Sequence, residues 1–178
     1  MQLLEMSVPP IVYHASDGIV KKFSISRIGE SSLGFHFSET PELAINAAMK
    51  NGIKDPIVGK YHIAITNPLT IQGQANGFRL FSLIDQLHDM DVIDQTDYQK
   101  YQDLYDEIEE NHHGHDFSIE IYKLTKIILK NIGRDSFKYY NEFDSGLNIF
   151  GTGQDVKPAW SWIVLDPKVI NFIEILKS

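Results

Sequence analysis

The sequence predicts an α+β fold. Segments with strand character gather at both ends of the chain, helical periodicity fills the middle, and strand does not alternate strictly with helix. The 178 residues are 43% hydrophobic and 22% charged, which is ordinary for a globular protein and enough to bury a core without staples. One domain over residues 1–178 is expected, with residues 78–131 as a helical insertion.

The first strand is "IVYHAS", which begins at Ile11 after a proline pair. "SISRIGESSLGFHFSET" reads as a polar loop running into a second strand at "LGFHFS". "PELAINAAMKNG" reads as a helix. Ser38 or Thr40 can cap it, Pro41 suits its first turn, Glu42 favours its positive end and Gly52 follows its last turn. "GKYHIAITNPLTI" is a third strand, ended by the Asn-Pro pair; Tyr61, Ile63 and Ile65 alternate with His62 and Ala64.

The middle has helical spacing. Leu80, Leu83, Ile84 and Leu87 form one apolar stripe, and Tyr98, Tyr101, Leu104, Tyr105 and Ile108 form another. Two helices with acidic outer faces are expected, packed outside the main core. "FSIEIYKLTKIILKNIG" is a further helix, stopped by Gly133. Two strand-like segments follow, "DSFKYYNEF" and "WSWIVLDPKVI", joined by a Gly-rich loop. Strands are thus expected over 12–16, 34–38, 61–65 and 162–165, all in one β-core.

Composition excludes several chemistries. The chain has no cysteine, so disulfides, thiolate metal sites and a cysteine nucleophile are out. A formal charge of −8 argues against a generic nucleic-acid surface. No apolar run approaches the roughly 18 residues of a membrane span, and "MQLLEMSVPP" lacks the basic and apolar regions of a signal peptide. A cytoplasmic protein is the expectation.

Motifs of the common kinds are missing or weak. His112, His113 and His115 crowd a polar, Gly-containing linker, and adjacent histidines cannot all face one ion without a special turn, so no metal is expected there. The acids of the middle helices lack the glycine and fixed ligand spacing of a calcium loop. "GTGQD" lacks the lysine of a phosphate-binding loop. His14 and His36 remain, each in an apolar segment that runs into polar residues. Taken singly, a histidine so placed is more often structural than catalytic.

Several stretches read in order carry more. "VYHAS" at Val12, then "LGFHFSETPELA" at Leu33, resembles the opening of the ADP-ribosyltransferases, whose text runs "YHGT", a gap, "GxYFT" and a helix with "PExA". "YHIAITNPL" resembles the next strand of that family. "IGRDSFKYYNEFDSG" and "SWIVLDPKVI" resemble its closing motifs, "GYDGIVYxNExEG" and "SYIVFDPNQI". The nearest resemblance is to the branch found in phage and mobile-element polyvalent proteins, which would place the chain in a bacterial host cytoplasm. It covers residues 12–67 and 133–170.

The resemblance implies a split, mostly antiparallel β-core that grips NAD, and transfer of ADP-ribose from NAD to a macromolecule with release of nicotinamide. A protein target is expected, with nucleic acid less so because of the charge. His14 matches the histidine that holds a ribose hydroxyl, and Ala15 and Ser16 follow it in the motif. Gly34 would let backbone pass close to the nicotinamide, with Phe35 and Phe37 in the same strand. His36 takes the place of the tyrosine that stacks on the nicotinamide. Ser38 lies at a small hydroxyl position, and Asn141, Glu142 and Asp144 occupy the "NExE" segment. The carboxylate that stabilises the oxocarbenium-like ribose then comes from Glu142 or Asp144, with Asp155 behind them. NAD enters as substrate and no metal is implied. Two other readings stand beside this one. A related branch that removes 2′-phosphates from RNA uses two histidines in these places. A non-catalytic protein of the same fold would bind a partner through its acidic, Tyr-rich helices.

Overall fold

The structure is a computed structural model and describes residues 10–25, 32–71, 80–146 and 155–176. Its centre is a seven-stranded sheet. The strands are β1 (Ile11–Ser16), β2 (Phe35–Ser38), β3 (Ile57–Ile63), β4 (Pro68–Ile71), β5 (Ser136–Asn141), β6 (Ala159–Val164) and β7 (Ile170–Ile175). Their order across the sheet is β4-β5-β6-β2-β1-β3-β7. Every pairing is antiparallel except β4 with β5. The four expected strand segments lie in this one sheet; two differ by a single residue at one end, whereas β3 begins four residues and β6 three residues before the expected start.

Two strands depart from expectation. The run read as one strand through "NPLTI" breaks: β3 stops at Ile63, and Pro68 opens a separate strand at the far edge of the sheet. The segment "WSWIVLDPKVI" also breaks, at Asp166, which caps a single 3-10 turn over Pro167–Val169 before β7. In both places a proline lacks the N–H a ladder needs and forces the chain out of register.

The four described α-helices are α1 (Pro41–Lys50), α2 (Leu80–Asp89), α3 (Gln95–Asn111) and α4 (Gly114–Asn131). Thr40 caps α1, its hydroxyl accepting from the Leu43 N–H at 3.3 Å. Asp94 caps α3 by accepting from the Asp97 N–H at 2.9 Å. The histidine tract is the short linker between α3 and α4: His112 and His113 lie between the two helices, and His115 lies in the first turn of α4. Among the described residues no three His, Cys, Asp or Glu side chains gather as a metal site, and no helix is long and apolar enough to cross a membrane. The "GTGQD" stretch up to Gln154 and the side chain of Leu80 lie outside the described residues.

Both helical layers cover the same face of the sheet. Directly opposed residues in an antiparallel ladder share a face, and neighbours along a strand alternate. Tyr13 opposes Ser38, Ser38 opposes Ser161, and Ser161 opposes Tyr139. On this face Tyr13, Ala15 and Val58 pack with Ala44 and Ala48 of α1. Farther along it, Leu69, Ile71, Phe137 and Ile163 join Leu83, Ile84, Leu87, Tyr101, Leu124 and Ile128 in one buried cluster. The middle helices therefore do not sit outside the core; they are its lid on the β4–β5–β6 side. They also supply the long crossover that a parallel β4–β5 pair requires.

The parallel pair is stapled by Asp135, whose Oδ2 accepts from the Thr66 N–H (2.7 Å), the Thr66 hydroxyl (3.0 Å) and the Asn67 N–H (3.1 Å). Partial burial alone would raise the Asp135 pKa, but these bonds and one from Ser136 outweigh it and hold the pKa below its ordinary value. Asp135→Ala is expected to lower stability by about 1–3 kcal/mol, because it strands backbone donors. A chemical denaturation midpoint reads this directly. The Asp135 contribution should fade as pH falls through its depressed pKa, so the mutant and wild type should converge in acid.

Candidate functional site

Between the two helical covers the face stays open over β2 and β6. There a cavity of about 450 Å³ is lined by Tyr13, Ala15, His36, Ser38, Tyr139, Asn141, Asp144 and Ser161, with Ala44, Ala47, Ala48 and Asn51 of α1 as one wall. Its size falls in the usual range for small-molecule sites.

The cavity borders a weak seam. β1 and β2 share a single register pair, Tyr13 with Ser38, whereas β1 and β3 pair along six residues. At the seam the His14 side chain replaces a ladder bond: its Nδ1 lies 2.9 Å from the His36 carbonyl oxygen. A carbonyl only accepts, so Nδ1 carries the proton and Nε2 keeps its lone pair.

His14 and His36 leave the sheet on opposite faces. The His14 ring sits edge-on to Phe23 at 5.3 Å and near Phe37 at 5.8 Å, within the aromatic cluster beneath the sheet. Tyr61 completes that cluster by laying its ring over Gly59, where any Cβ would collide with it. The expectation that His14 and His36 face each other across one cleft is corrected here. The Tyr13 face does pack on helices, but it is also the face that carries the cavity, and His14 touches the cavity only at the seam.

The other expected site residues divide. His36, Ser38, Asn141 and Asp144 come together, with Ala15, Ser16 and Phe37 at the border. Phe35 is buried on the opposite face. Glu142 is exposed and does not line the cavity. Gly34 serves the packing of the sheet. A Cβ there would lie 2.6 Å from the Val164 carbonyl oxygen, so β2 can enter beside β6 only without one.

Asp144 is the cavity's carboxylate, and it is held firmly. Its Oδ2 accepts from the Asn141 side-chain amide at 2.8 Å, and its own N–H donates to Asn141 Oδ1 at 3.0 Å. The buried Asn46 amide of α1 donates to the Asp144 carbonyl. Lys50, one turn on, donates to the carbonyls of Phe143 and Ser145. Asn141 also donates to Ser161 Oγ at 3.1 Å. Its amide is thus occupied as a clamp for Asp144.

Tyr139 is the residue that motif reading missed. Burial, and then the negative Asp144, push its pKa up, against hydrogen bonding to Ser161, so it stays a neutral phenol. The α1 wall was also missed. Its signal was present as "AINAAMKN", in which Ala44, Ala47, Ala48 and Asn51 keep helical spacing and leave room beside the sheet.

Desolvation by the walls, and then the neighbouring His14, push the His36 pKa down to about 4. Burial also lowers His14, against its bond to the His36 carbonyl. Both rings are neutral at pH 7. Between about 4 and 6.5 the unfolded chain therefore binds protons that the folded chain does not. Stability should rise with pH across that window. His36 is nonetheless an exposed residue, so the effect should be much smaller than the displacement alone implies. Denaturation midpoints compared with those of His36→Gln should show the rise in wild type and a shallower one in the mutant. Identical pH profiles would contradict the assignment.

No family model matches the chain, and neither a curated protein nor a solved structure matches it.

Proposed function

We propose that the chain is an ADP-ribosyltransferase that cleaves NAD at the bond between nicotinamide and ribose and passes ADP-ribose to a macromolecule. The observation that carries this reading is the fixed carboxylate of Asp144, gathered with His36, Ser38 and Tyr139 in a cavity beside a split between β1 and β2. A mostly antiparallel sheet that opens at this seam supports the split core of that family. The sequence motifs supply the rest of the case.

The chemistry follows from the groups present. The flat, neutral His36 ring faces the nicotinamide. His14 holds the seam at the cavity's edge through its Nδ1 bond to the His36 carbonyl. Tyr139 and Ser38 offer hydroxyls to the carboxamide or the second hydroxyl. As the bond from C1′ to the pyridinium nitrogen breaks, its electron pair leaves with nicotinamide, and positive charge develops on the ribose. Asp144 stabilises that charge. A nucleophile on the target then forms a bond to C1′ and gives up its proton. Asp144, and not Glu142, takes the carboxylate role.

The RNA 2′-phosphotransferase reading is weaker. Among the described residues lining the cavity there is no lysine or arginine to meet phosphates. Incubation with NAD labelled in its adenylate half, together with a cell lysate, tests the proposal. Label should pass to macromolecules as nicotinamide accumulates. Binding of NAD without turnover would mark a non-catalytic module, and an untouched NAD pool with no binding would overturn the reading.

A further inference from the structure

Charge in the cavity is one-sided. Among its described lining residues Asp144 is the sole formal charge at neutral pH, since the two imidazoles are neutral and Tyr139 keeps its proton. Lys50 keeps its charge as it donates to the Phe143 and Ser145 carbonyls, but it is not among the cavity's described lining residues. The Asp144 carboxylate is itself only half satisfied. Oδ2 accepts from Asn141, and Oδ1 has no protein partner among the described residues.

We infer that the cavity selects the cationic ribosyl-pyridinium end of its substrate and leaves the phosphates in solvent, so that nicotinamide riboside, which has no phosphate, is a sufficient ligand. This rests on the proposal of an NAD-cleaving site and names which part of NAD that site reads. A pyridinium places a full positive charge beside a carboxylate oxygen that has no partner among the described residues, on a side chain that is itself partly buried. A pyrophosphate drawn into the same space would lose hydration, find no lysine or arginine among the described lining residues, and meet Asp144 as a like charge. Small side chains at Ala44, Ala47 and Ala48 leave a smooth apolar wall for a flat ring, and the donors and acceptors around Asp144 suit a neutral sugar.

The test is calorimetric titration of the full chain with NAD, nicotinamide riboside and the reduced riboside. The reduced compound has nearly the same shape but no charge on its ring. The riboside should bind within about tenfold of NAD. The oxidised riboside should bind about tenfold or more tighter than the reduced one. That preference should shrink in high salt and disappear in Asp144→Asn. The comparison of oxidised with reduced riboside stands on the wild-type protein alone, so it survives a poorly folding variant. Tight NAD binding with no riboside binding would overturn this inference and leave the NAD proposal standing. Equal affinity for the two ribosides would also overturn it. Failure of all three compounds to bind would remove both.

Discussion

Replacing Asp144 by asparagine is expected to lower nicotinamide release from NAD by about two to three orders of magnitude, the usual loss when a site's fixed electrostatic partner for transition-state charge is removed. The side chains are nearly isosteric, and the N–H of residue 144 keeps its bond to Asn141 Oδ1. Folding should therefore change little. Glu142→Gln is the matched control. Glu142 lies two residues away in the same motif, but it is exposed and outside the cavity, so its loss should leave turnover near wild type. Asp144 also meets the pyridinium of the bound substrate, so KM should rise by about tenfold in the variant, while the larger loss should fall on kcat because the charge on C1′ appears only as the glycosidic bond breaks. Steady-state rates for the two variants, with thermal melts beside them, separate the two acids that motif reading left open.

Excision of the middle helices is expected to abolish cooperative folding. Replacing residues 80–131 by a flexible linker of about a dozen residues leaves chain enough for the β4–β5 crossover, so closure alone does not cause the loss. The removed residues include Leu83, Ile84, Leu87, Ile128 and Leu129, all with no exposed surface. Their departure would bare Leu69, Ile71, Phe137 and Ile163 on the sheet. Burial of each such side chain is worth roughly 1.5–3 kcal/mol, so baring four approaches the whole stability of a typical domain, about 5–15 kcal/mol. A flat urea titration by circular dichroism is the expected outcome. A sharp transition in the excised protein would show that the helices are an independent lid.

Much of the fold could be read from local pattern. "IVYHAS" and "FHFS" announce strands through apolar and β-branched residues, and Thr40-Pro41-Glu42 announces a helix start through capping chemistry. What escaped was set by long-range packing. Val12 and His14 share a face, as alternation requires, but only the register of Tyr13 on Ser38 decides which face carries the cavity. Leu83 and Leu87 showed helical spacing, yet their partners Leu69 and Phe137 lie in strands at a distance in the chain. Part of the candidate cavity's lining was legible, since His36 and Asp144 were singled out in the sequence and both line it. Tyr139 and the Ala44–Ala48 wall were not, because a tyrosine in a strand and alanines in a helix look like any others until tertiary structure places them together.

Nicotinamide release from NAD, followed over time by chromatography in wild type and Asp144→Asn side by side, tests the central claim most directly. Steady release by the wild-type protein is expected, dependent on its concentration, with a loss of about a hundredfold or more in the variant at equal folding. Release at equal rates by both proteins, or none by either, would contradict the claim.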